Sequence, residues 1–496
     1  MRKTSLYILV AASFLFSACS NFLSVEPQQS LSAEEVYSTT QDLETALVGA
    51  YNGLSGSDLM GCNLTMVPDI MSDNGTWRGS FTTFIDISNL DQTPLNGEVT
   101  ELWREGYVAI NDANILLSQI DGVEDADIAA NGDRIRGEAL FIRGAVYFEM
   151  VRYFGKPYSE SSSSDLGIPL VLNATFTTFD TSDPASFPAR ATVEAIYDQA
   201  ISDLTEASNL LPETNLLGRA TKWGAIAYLA EIAFQQRDYV AASGFATQLI
   251  DGGFALTATP AEFFTNEGSS ESIYELFHNS QDNPGVNGSL PTFHHVQGRG
   301  GDVIVSQDLI NNGFFKIVPQ SQLDELTGAG FTYVDQRLST LTSDGGTFAD
   351  SGGVNIEKYE DFVNNADNAP VHRLAEYILM QAECIVRNGG DKAEAVALLN
   401  QIRNRAIVGR DANGDAADIS GIVSYEVADF ADDQALIDAI VLERRVELCF
   451  EGNRLHDLNR LQLPVQGNPT GSDNLVWPVP QRELDNNSSL TQNPGY

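Results

Sequence analysis

The chain is poor in cysteine, with four in 496 residues. Cys19, Cys62, Cys384 and Cys449 are far apart, and no two have the CxxC spacing typical of zinc and redox sites. Cys384 and Cys449 lie in apolar segments, where a free cysteine behaves as a small hydrophobic side chain. The sequence therefore predicts no disulfide framework, no metal site and no cofactor, although one disulfide could form if the chain is exported.

Basic residues are also scarce. Against 68 Asp and Glu stand only 28 Lys and Arg, which gives a formal net charge of -40. Like charges repel at long range, so nucleic acid and anionic lipid surfaces are disfavoured as partners. The charge suits solubility in a salty medium, where repulsion is screened, and it carries no information about the fold.

A hydrophobic run long enough to span a membrane is absent. The apolar run at residues 6–16 is too short, and it follows Arg2 and Lys3, as in the n-region and h-region of an export signal. It ends in the sequence LFSAC at residues 15–19, which has the form of a bacterial lipoprotein cleavage site. We therefore predict a lipoprotein signal peptide over residues 1–18.

Cys19 is then the residue that carries the lipid. Residues 19–31 are polar and predict a tether between this lipid and a water-soluble body. The alternative is ordinary secretion, in which Cys19 is incidental because the cleavage site needs only small residues.

The first element after the tether is predicted to be a helix. Ser32 and Glu35 form the S-x-x-E capping box of a helix start. Apolar side chains then recur at positions 43, 46, 47, 50, 51 and 54, which is one face of an amphipathic helix. Residues 55–99 follow as a long irregular stretch, and loops of this length are usually functional or disordered.

Helical periodicity returns in a series of segments joined by short turns. The second of them is apolar most of the way round and is expected to be central and buried. The segments are 101–120, 133–154, 192–211, 220–236, 239–250, 371–387 and 393–405.

The pair at 220–250 resembles a tetratricopeptide unit. Ala230 and Ala242 have the spacing of the small residues at which the two helices of that repeat cross closely. We therefore predict a mainly α fold of degenerate tetratricopeptide-like repeats in a right-handed superhelix. Residues 32–496 are expected to form a single domain, with parts at about 32–252, 253–368 and 369–496, of which the middle one is loop-rich.

Motifs in a fixed order along nearly the whole chain resemble those of the SusD/RagB family of nutrient-binding outer-membrane lipoproteins of Bacteroidota. The most specific is the segment ERRVELCFEGNR at 443–454, followed by Asp457 and Leu458. The other matching segments are CSNFL at 19–23, DLE to AYN at 42–52, RGEA to YFGKPY at 136–158, RLAE at 373–376, LNQIR at 399–403 and QNPGY at 492–496.

The resemblance implies a SusD-like α-α superhelix of four tetratricopeptide-like units that supports a loop-rich binding face. It also implies an outer-membrane location with the body outside, and a partner, a SusC-like TonB-dependent transporter over which the protein acts as a lid. The implied cargo is an oligosaccharide, while some members handle peptides. The residues after Cys19 lack the acidic run associated with surface export, so the outward orientation depends on the family alone.

A first candidate binding site lies in the long stretch before residue 99. Sugar rings have apolar C–H faces and a rim of hydroxyls, so a site needs a flat exposed aromatic beside amides, carboxylates or arginine. Asp73, Asn74, Trp77 and Arg78 supply that set, with Asp69 nearby. The alternative is that Trp77 packs into the scaffold, because tryptophan is often largely buried.

A second candidate lies in the middle part, from which the family builds some of its ligand face. Phe293, His294 and Arg299 form its densest aromatic and polar group, and Tyr359 is expected to contribute. None of the histidines has the HExxH spacing of a metal site.

The charged residues at 443–454 admit two interpretations. Paired carboxylates carry out acid/base chemistry in hydrolases. Charges three and four apart on one helix also form ion pairs, and here apolar residues are interleaved with them, which favours structure. With no G-x-S-x-G motif either, we predict no enzyme. The alternatives are a surface glycoside hydrolase or peptidase, and a structural lid that binds nothing.

Asp411, Asn413 and Asp415 repeat the first half of a calcium loop. Ala416 replaces the glycine of the sixth position and Ile422 the glutamate of the twelfth. An ordinary Asp/Asn/Gly turn is therefore favoured over calcium binding.

Overall fold

The computed structural model describes residues 36–176, 187–265, 268–340 and 355–496. The predicted signal peptide, Cys19, the tether and the capping box at Ser32 and Glu35 lie outside these residues. The first helix with described bounds begins at Thr40. Thr39 is its N-cap, and the side chains of Thr39 and Asp42 bond to each other's backbone N–H groups, which satisfies the first turn.

The protein is mainly helical, as predicted. The helices are α1 (Thr40–Leu54), α2 (Asn63–Ile70), α3 (Thr82–Ser88), α4 (Gly97–Gln119), α5 (Ile128–Phe154), α6 (Val193–Leu210), α7 (Lys222–Gln235), α8 (Tyr239–Ile250), α9 (Leu290–His294), α10 (Val296–Arg299), α11 (Gln320–Ala329), α12 (Leu374–Arg387), α13 (Lys392–Ala406), α14 (Ser420–Val423), α15 (Asp433–Glu447), α16 (Arg454–Arg460) and α17 (Gln481–Asn486).

The strands are short. They are β1 (Gly75–Trp77), β2 (Leu166–Pro169), β3 (Arg190–Thr192), β4 (Ser272–Leu276), β5 (Val303–Val305), β6 (Thr332–Asp335), β7 (Ala369–Arg373), β8 (Ile407–Arg410) and β9 (Ala416–Ala417). They pair antiparallel as β1–β5, β2–β3, β4–β7 and β6–β8–β9. Most of these pairs join segments that are distant in sequence.

Successive helices pack against one another along the scaffold. Helix α4 packs on α5, α5 on α6, α6 on α7 and α7 on α8. Helix α8 then packs on α12, and α12 on α13 and α15. The loop-rich part between α8 and α12 is therefore set aside from a continuous stack of helices, which is how a repeat scaffold grows through contacts between neighbours.

Two features of the repeat prediction are confirmed. From Gly137 to Val151 every residue of α5 is buried, in keeping with a helix that is apolar all round. Ala230 and Ala242 have no exposed surface and belong to the cluster formed by α7, α8 and α12. Their methyl groups let the helix axes approach closely.

The stretch at 55–99 is less irregular than predicted, because it contains α2, β1 and α3. Helix α2 holds Pro68 and buries nearly every residue, so a periodic pattern is lacking and the surrounding core specifies it. Helix α3 is only seven residues long, and Phe84 and Ile87 are its buried residues. Elements this short carry little periodicity from which to predict them.

The described helices do not combine the length and the apolar character that a membrane crossing requires.

Candidate functional site

The two candidate segments, more than 200 residues apart in sequence, meet in the β1–β5 sheet. Gly75 pairs with Val305 and Trp77 with Val303. Beyond the strands, the backbone N–H of Arg78 donates to the carbonyl of Asp302 at 2.8 Å. This antiparallel pairing places the loop that follows Trp77 beside the turn that follows α10.

Trp77 is a packing residue, which corrects its prediction as an exposed sugar platform. Its side chain is 8% exposed, and its ring centroid lies 4.8 Å from that of Phe84 and 5.8 Å from that of Phe293. The alternative drawn from the sequence, an anchor for the loop, describes its position. Phe293 is only 1% exposed, so it is a packing residue as well and its prediction as a ligand contact is corrected in the same way.

His294 and Tyr359 are also interior residues, and the prediction that they contact a ligand requires the same correction. His294 Nδ1 lies 2.8 Å from the carbonyl oxygen of Leu290, and burial lowers the pKa of His294 to about 4. The hydroxyl of Tyr359 donates to the carbonyl of Phe450 at 2.8 Å. Phe293 and His294 face the interior because all five residues of the short helix α9 are buried.

Arg78 and Arg299, by contrast, reach the surface at one end of the β1–β5 sheet. Arg78 Nε donates to the carbonyl of Gly301 at 2.9 Å, and Nη2 lies 3.4 Å from Asn355 Oδ1. The Arg299 guanidinium lies 4.2 Å above the ring of half-buried Phe81. An aromatic edge, two guanidinium groups and an amide therefore converge at this end.

Asp73 and Asn74 lie at the other end of the sheet. Asn74 is buried, and its Nδ2 donates to Asp69 Oδ1 at 2.9 Å. The partly exposed Asp73 carboxylate accepts two bonds from Arg454, at 2.6 and 2.7 Å. Burial acts to raise the pKa of Asp73, but Arg454 and Arg445 outweigh it and lower the pKa.

Phe315 is an exposed aromatic that the sequence prediction missed. It is 57% exposed and directly follows a π-helical segment, Leu309–Phe314. Gln307 and Asn311, which precede Phe315 at intervals of four residues, are also exposed, and Gln307 Nε2 donates to Asn311 Oδ1 at 3.1 Å. The amide-flanked pair of phenylalanines at 314 and 315 was the available signal, and π-helical turns often occur at functional sites.

We call these two groups the β1–β5 surface. At one end it comprises Arg78, Phe81, Arg299 and Asn355. At the other end it comprises Gln307, Asn311 and Phe315. Each end combines an aromatic ring with side chains that hydrogen-bond to hydroxyl groups.

Both ring nitrogens of His295 have protein partners. The backbone N–H of Gln297 donates to Nδ1 at 3.1 Å, and Nε2 lies 2.9 Å from Glu357 Oε2. The ring also stacks on Phe362, with centroids 4.6 Å apart. This histidine therefore ties two loops together.

The charged segment at 443–454 is a buried ion-pair network. Arg373 bonds to both Glu447 and Glu451, and Arg337 bonds to Glu443. Burial acts to raise the pKa of Glu447, but Arg405, Arg373 and Arg337 hold that pKa well below its usual range. Carboxylates paired in this way hold segments together and are not placed for proton transfer.

The possible calcium loop forms the turn between β8 and β9. Asp411 Oδ1 accepts the backbone N–H groups of Asn413 at 2.8 Å and Asp415 at 2.9 Å. Those two bonds lower the pKa of Asp411. The favoured interpretation, an Asp/Asn/Gly turn, accounts for all three residues.

Elsewhere, three carboxylates approach within 4.8 Å of one another, those of Asp58, Glu101 and Glu105. Arg104 bonds to both glutamates, which offsets part of their charge.

Comparisons with known proteins agree across nearly the whole chain. A family model described as starch-binding associating with outer membrane matches residues 21–234, and the SusD family model matches residues 351–468. SusD-like protein P2 of Formosa agariphila is 25% identical, and the alignment covers 96% of this chain and 97% of that protein. The starch-binding protein SusD of Bacteroides thetaiotaomicron is 25% identical over 79% of this chain and 77% of its own length.

Solved structures share the fold. A putative sugar binding protein from Bacteroides vulgatus superposes with a TM-score of 0.73 at 25% identity, covering 92% of this chain and 99% of that one. A SusD superfamily protein from Bacteroides thetaiotaomicron gives 0.74 at 23% identity, covering 92% and 100%.

Proposed function

Since this chain belongs to the SusD/RagB family, we propose that it is a cell-surface nutrient-binding lipoprotein. It captures an oligosaccharide and delivers it to a SusC-like TonB-dependent outer-membrane transporter, over which it closes as a lid. The predicted lipid on Cys19 holds it to the outer membrane, and residues 19–31 connect this lipid to the body.

The β1–β5 surface is the observation that carries the binding proposal. Phe315 offers an apolar face for a sugar ring and Phe81 an aromatic edge beneath Arg299, while Arg78, Asn311 and Asn355 offer partners for hydroxyl groups. The strands between the two groups span about 10 Å, three residues at about 3.3 Å each, and we infer that one extended oligosaccharide contacts both groups.

The relatives support the same ligand class. The Bacteroides thetaiotaomicron relative is named a starch-binding protein, and the Bacteroides vulgatus structure is described as a putative sugar binding protein. A delivery protein must also release its cargo, so we expect moderate affinity from a few stacked rings and hydrogen bonds.

Affinity electrophoresis across a panel of polysaccharides tests the binding proposal. We expect at least one glycan to retard the protein, and Phe315→Ala to weaken that retardation by about tenfold in apparent affinity. Phe176→Ala is the matched control, because Phe176 is an exposed phenylalanine beside α4, outside the β1–β5 surface. If the whole panel fails to retard the wild type, glycan capture is rejected.

Two further readouts address the alternatives. New reducing ends, released by the wild type and lost on mutation of a carboxylate pair, would identify a glycoside hydrolase instead. For delivery, we expect the lipidated protein to co-purify with the product of an adjacent TonB-dependent transporter gene. A protein that binds glycan but never that transporter would overturn the lid proposal alone.

A further inference from the structure

The β1–β5 sheet is too small to hold its own shape. Each strand has three residues, and a two-stranded sheet of that size is marginal in water. Its order must therefore come from the core beneath it, to which Trp77, Val303 and Val305 belong, and from bonds to the rest of the protein. The proposed ligand groups lie on the loops at its two ends, so whatever fixes the sheet also fixes their separation.

At one end of this sheet, Arg445 bonds to residues that flank both strands. It projects from the last turn of α15 and is 7% exposed. Its Nε donates to Asn74 Oδ1 at 2.9 Å, and its Nη2 donates to the carbonyl of Asp73 at 2.9 Å and to Asp308 Oδ2 at 2.8 Å. Asp73 and Asn74 precede β1, whereas Asp308 follows β5.

The same end is closed by backbone bonding. The N–H of Ser306 donates to the carbonyl of Asn74 at 2.8 Å, and the hydroxyl of Ser306 donates to the carbonyl of Asp73. Arg445 thus lies where the two chains leave the sheet. Its planar, permanently charged guanidinium holds three acceptors in one geometry, which a lysine ammonium on a flexible stem does not reproduce.

Arg444 provides an internal comparison, because it occupies the same helical turn and is 2% exposed. Its guanidinium bonds to Glu376 Oε1 and Asp457 Oδ2, each at 2.9 Å. Those partners belong to α12 and α16, within the helical scaffold. Two adjacent buried arginines therefore serve different structures, the scaffold and the β1–β5 sheet.

We propose that Arg445 is a positioning residue for ligand capture. It clamps the loop before β1 to the segment after β5, and so fixes the spacing between the two ends of the β1–β5 surface without contacting the ligand. This assignment rests on the proposed function for its consequence, while the clamp itself is testable without any ligand.

Hydrogen–deuterium exchange of the full protein tests the clamp. In Arg445→Met we expect exchange at residues 74–80 and 302–309 to rise by about tenfold or more, with residues 222–250 unchanged. In Arg444→Met we expect the increase in the scaffold instead. Exchange at 74–80 that stays at the wild-type rate, or that rises equally in both variants, would overturn the clamp.

Asp308→Ala keeps the test decisive if Arg445→Met fails to fold. Asp308 is 45% exposed, so its loss should be tolerated and should loosen the same two segments to a smaller degree. Unchanged exchange in Asp308→Ala would contradict the clamp. Arg445→Lys should not restore protection, because one ammonium cannot hold all three acceptors.

Glycan binding then tests the positioning role. We expect Arg445→Met to raise the dissociation constant of whichever glycan retards the wild type by about tenfold, while Arg444→Met leaves it unchanged. Loosened segments with unchanged affinity would show that the clamp is purely structural and would overturn the proposal. A wild type that binds no glycan rejects the proposed function and leaves the exchange result standing.

Discussion

Lys358 and Glu451 form an ion pair inside the protein, with Nζ 2.6 Å from Oε1 and side chains that are 3% and 5% exposed. Lys358 belongs to the segment that also places Asn355 at the β1–β5 surface. Glu451 follows α15 and also bonds to Arg373 at 2.6 Å. The pair therefore fastens the loop-rich part of the chain to the helical scaffold.

Lys358→Met is expected to lower the free energy of unfolding by about 2 kcal/mol, because Glu451 loses one of its two cationic partners and keeps only Arg373. Urea unfolding followed by circular dichroism measures this. Lys392→Met is the matched control, since Lys392 pairs with Asp433 at the surface, where such pairs contribute at most about 1 kcal/mol. Equal effects of the two substitutions would contradict the structural role.

The burial of His294 predicts a pH dependence of stability. The pKa of His294 is about 4 in the folded protein against 6.5 for an ordinary histidine. Below pH 6.5 the unfolded chain takes up a proton that the folded protein refuses, so stability falls as the pH falls toward the folded value. This histidine should account for a loss of about 2 kcal/mol between about pH 7 and about pH 4.5.

His294→Gln isolates that contribution, because glutamine keeps a hydrogen-bond donor and does not titrate. Urea unfolding at the two pH values should give a smaller loss of stability for the variant than for the wild type. Identical pH dependences would mean that the ring is accessible to water or already charged in the folded protein.

Substitutions of Trp77 should change the stability of the protein without removing a contact with the ligand. Trp77→Ala removes a large buried ring and is expected to lower the free energy of unfolding by about 3 to 5 kcal/mol. Trp77→Phe keeps an aromatic ring against Phe84 and Phe293, so it should retain the retardation by glycan. If Trp77→Phe abolishes retardation in a fully folded protein, Trp77 contacts the ligand after all.

Close helix crossing predicts sensitivity to added volume. Ala242→Leu places extra carbon atoms where α7 and α8 meet and should destabilise the protein by about 1 to 3 kcal/mol. Val240→Leu, two residues away and 73% exposed, should stay within about 0.5 kcal/mol of the wild type. Thermal unfolding of both variants decides whether this contact resembles the repeat's packing.

Periodicity was enough to predict the helical scaffold, because long helices repeat their apolar residues several times. Helix α5 and the pair α7 and α8 could be predicted for that reason. The three-residue strands β1 and β5 offer no such repetition. Their pairing depends on the core beneath Trp77 and on Arg445, more than 350 residues from β1 in sequence.

Exposure was the part of the site that the sequence could not specify. Phe293 and Phe315 are the same residue type in similar surroundings, yet one is 1% and the other 57% exposed. Likewise, the charges of the 443–454 segment bond largely to distant residues such as Arg337 and Asp73. The residue types predicted which segments contribute to the candidate site. Long-range packing determines which side chains of those segments are exposed.

The predicted lipid on Cys19 separates attachment from folding. Cys19→Ala should abolish membrane attachment, because no acceptor thiol remains, while the body retains its helical content and its retardation by glycan. Fractionation of cells that express the two forms, with circular dichroism of each, measures both properties. A Cys19→Ala protein that stays in the membrane fraction would show another anchor, and one that fails to fold would show that residues 19–31 belong to the folded body.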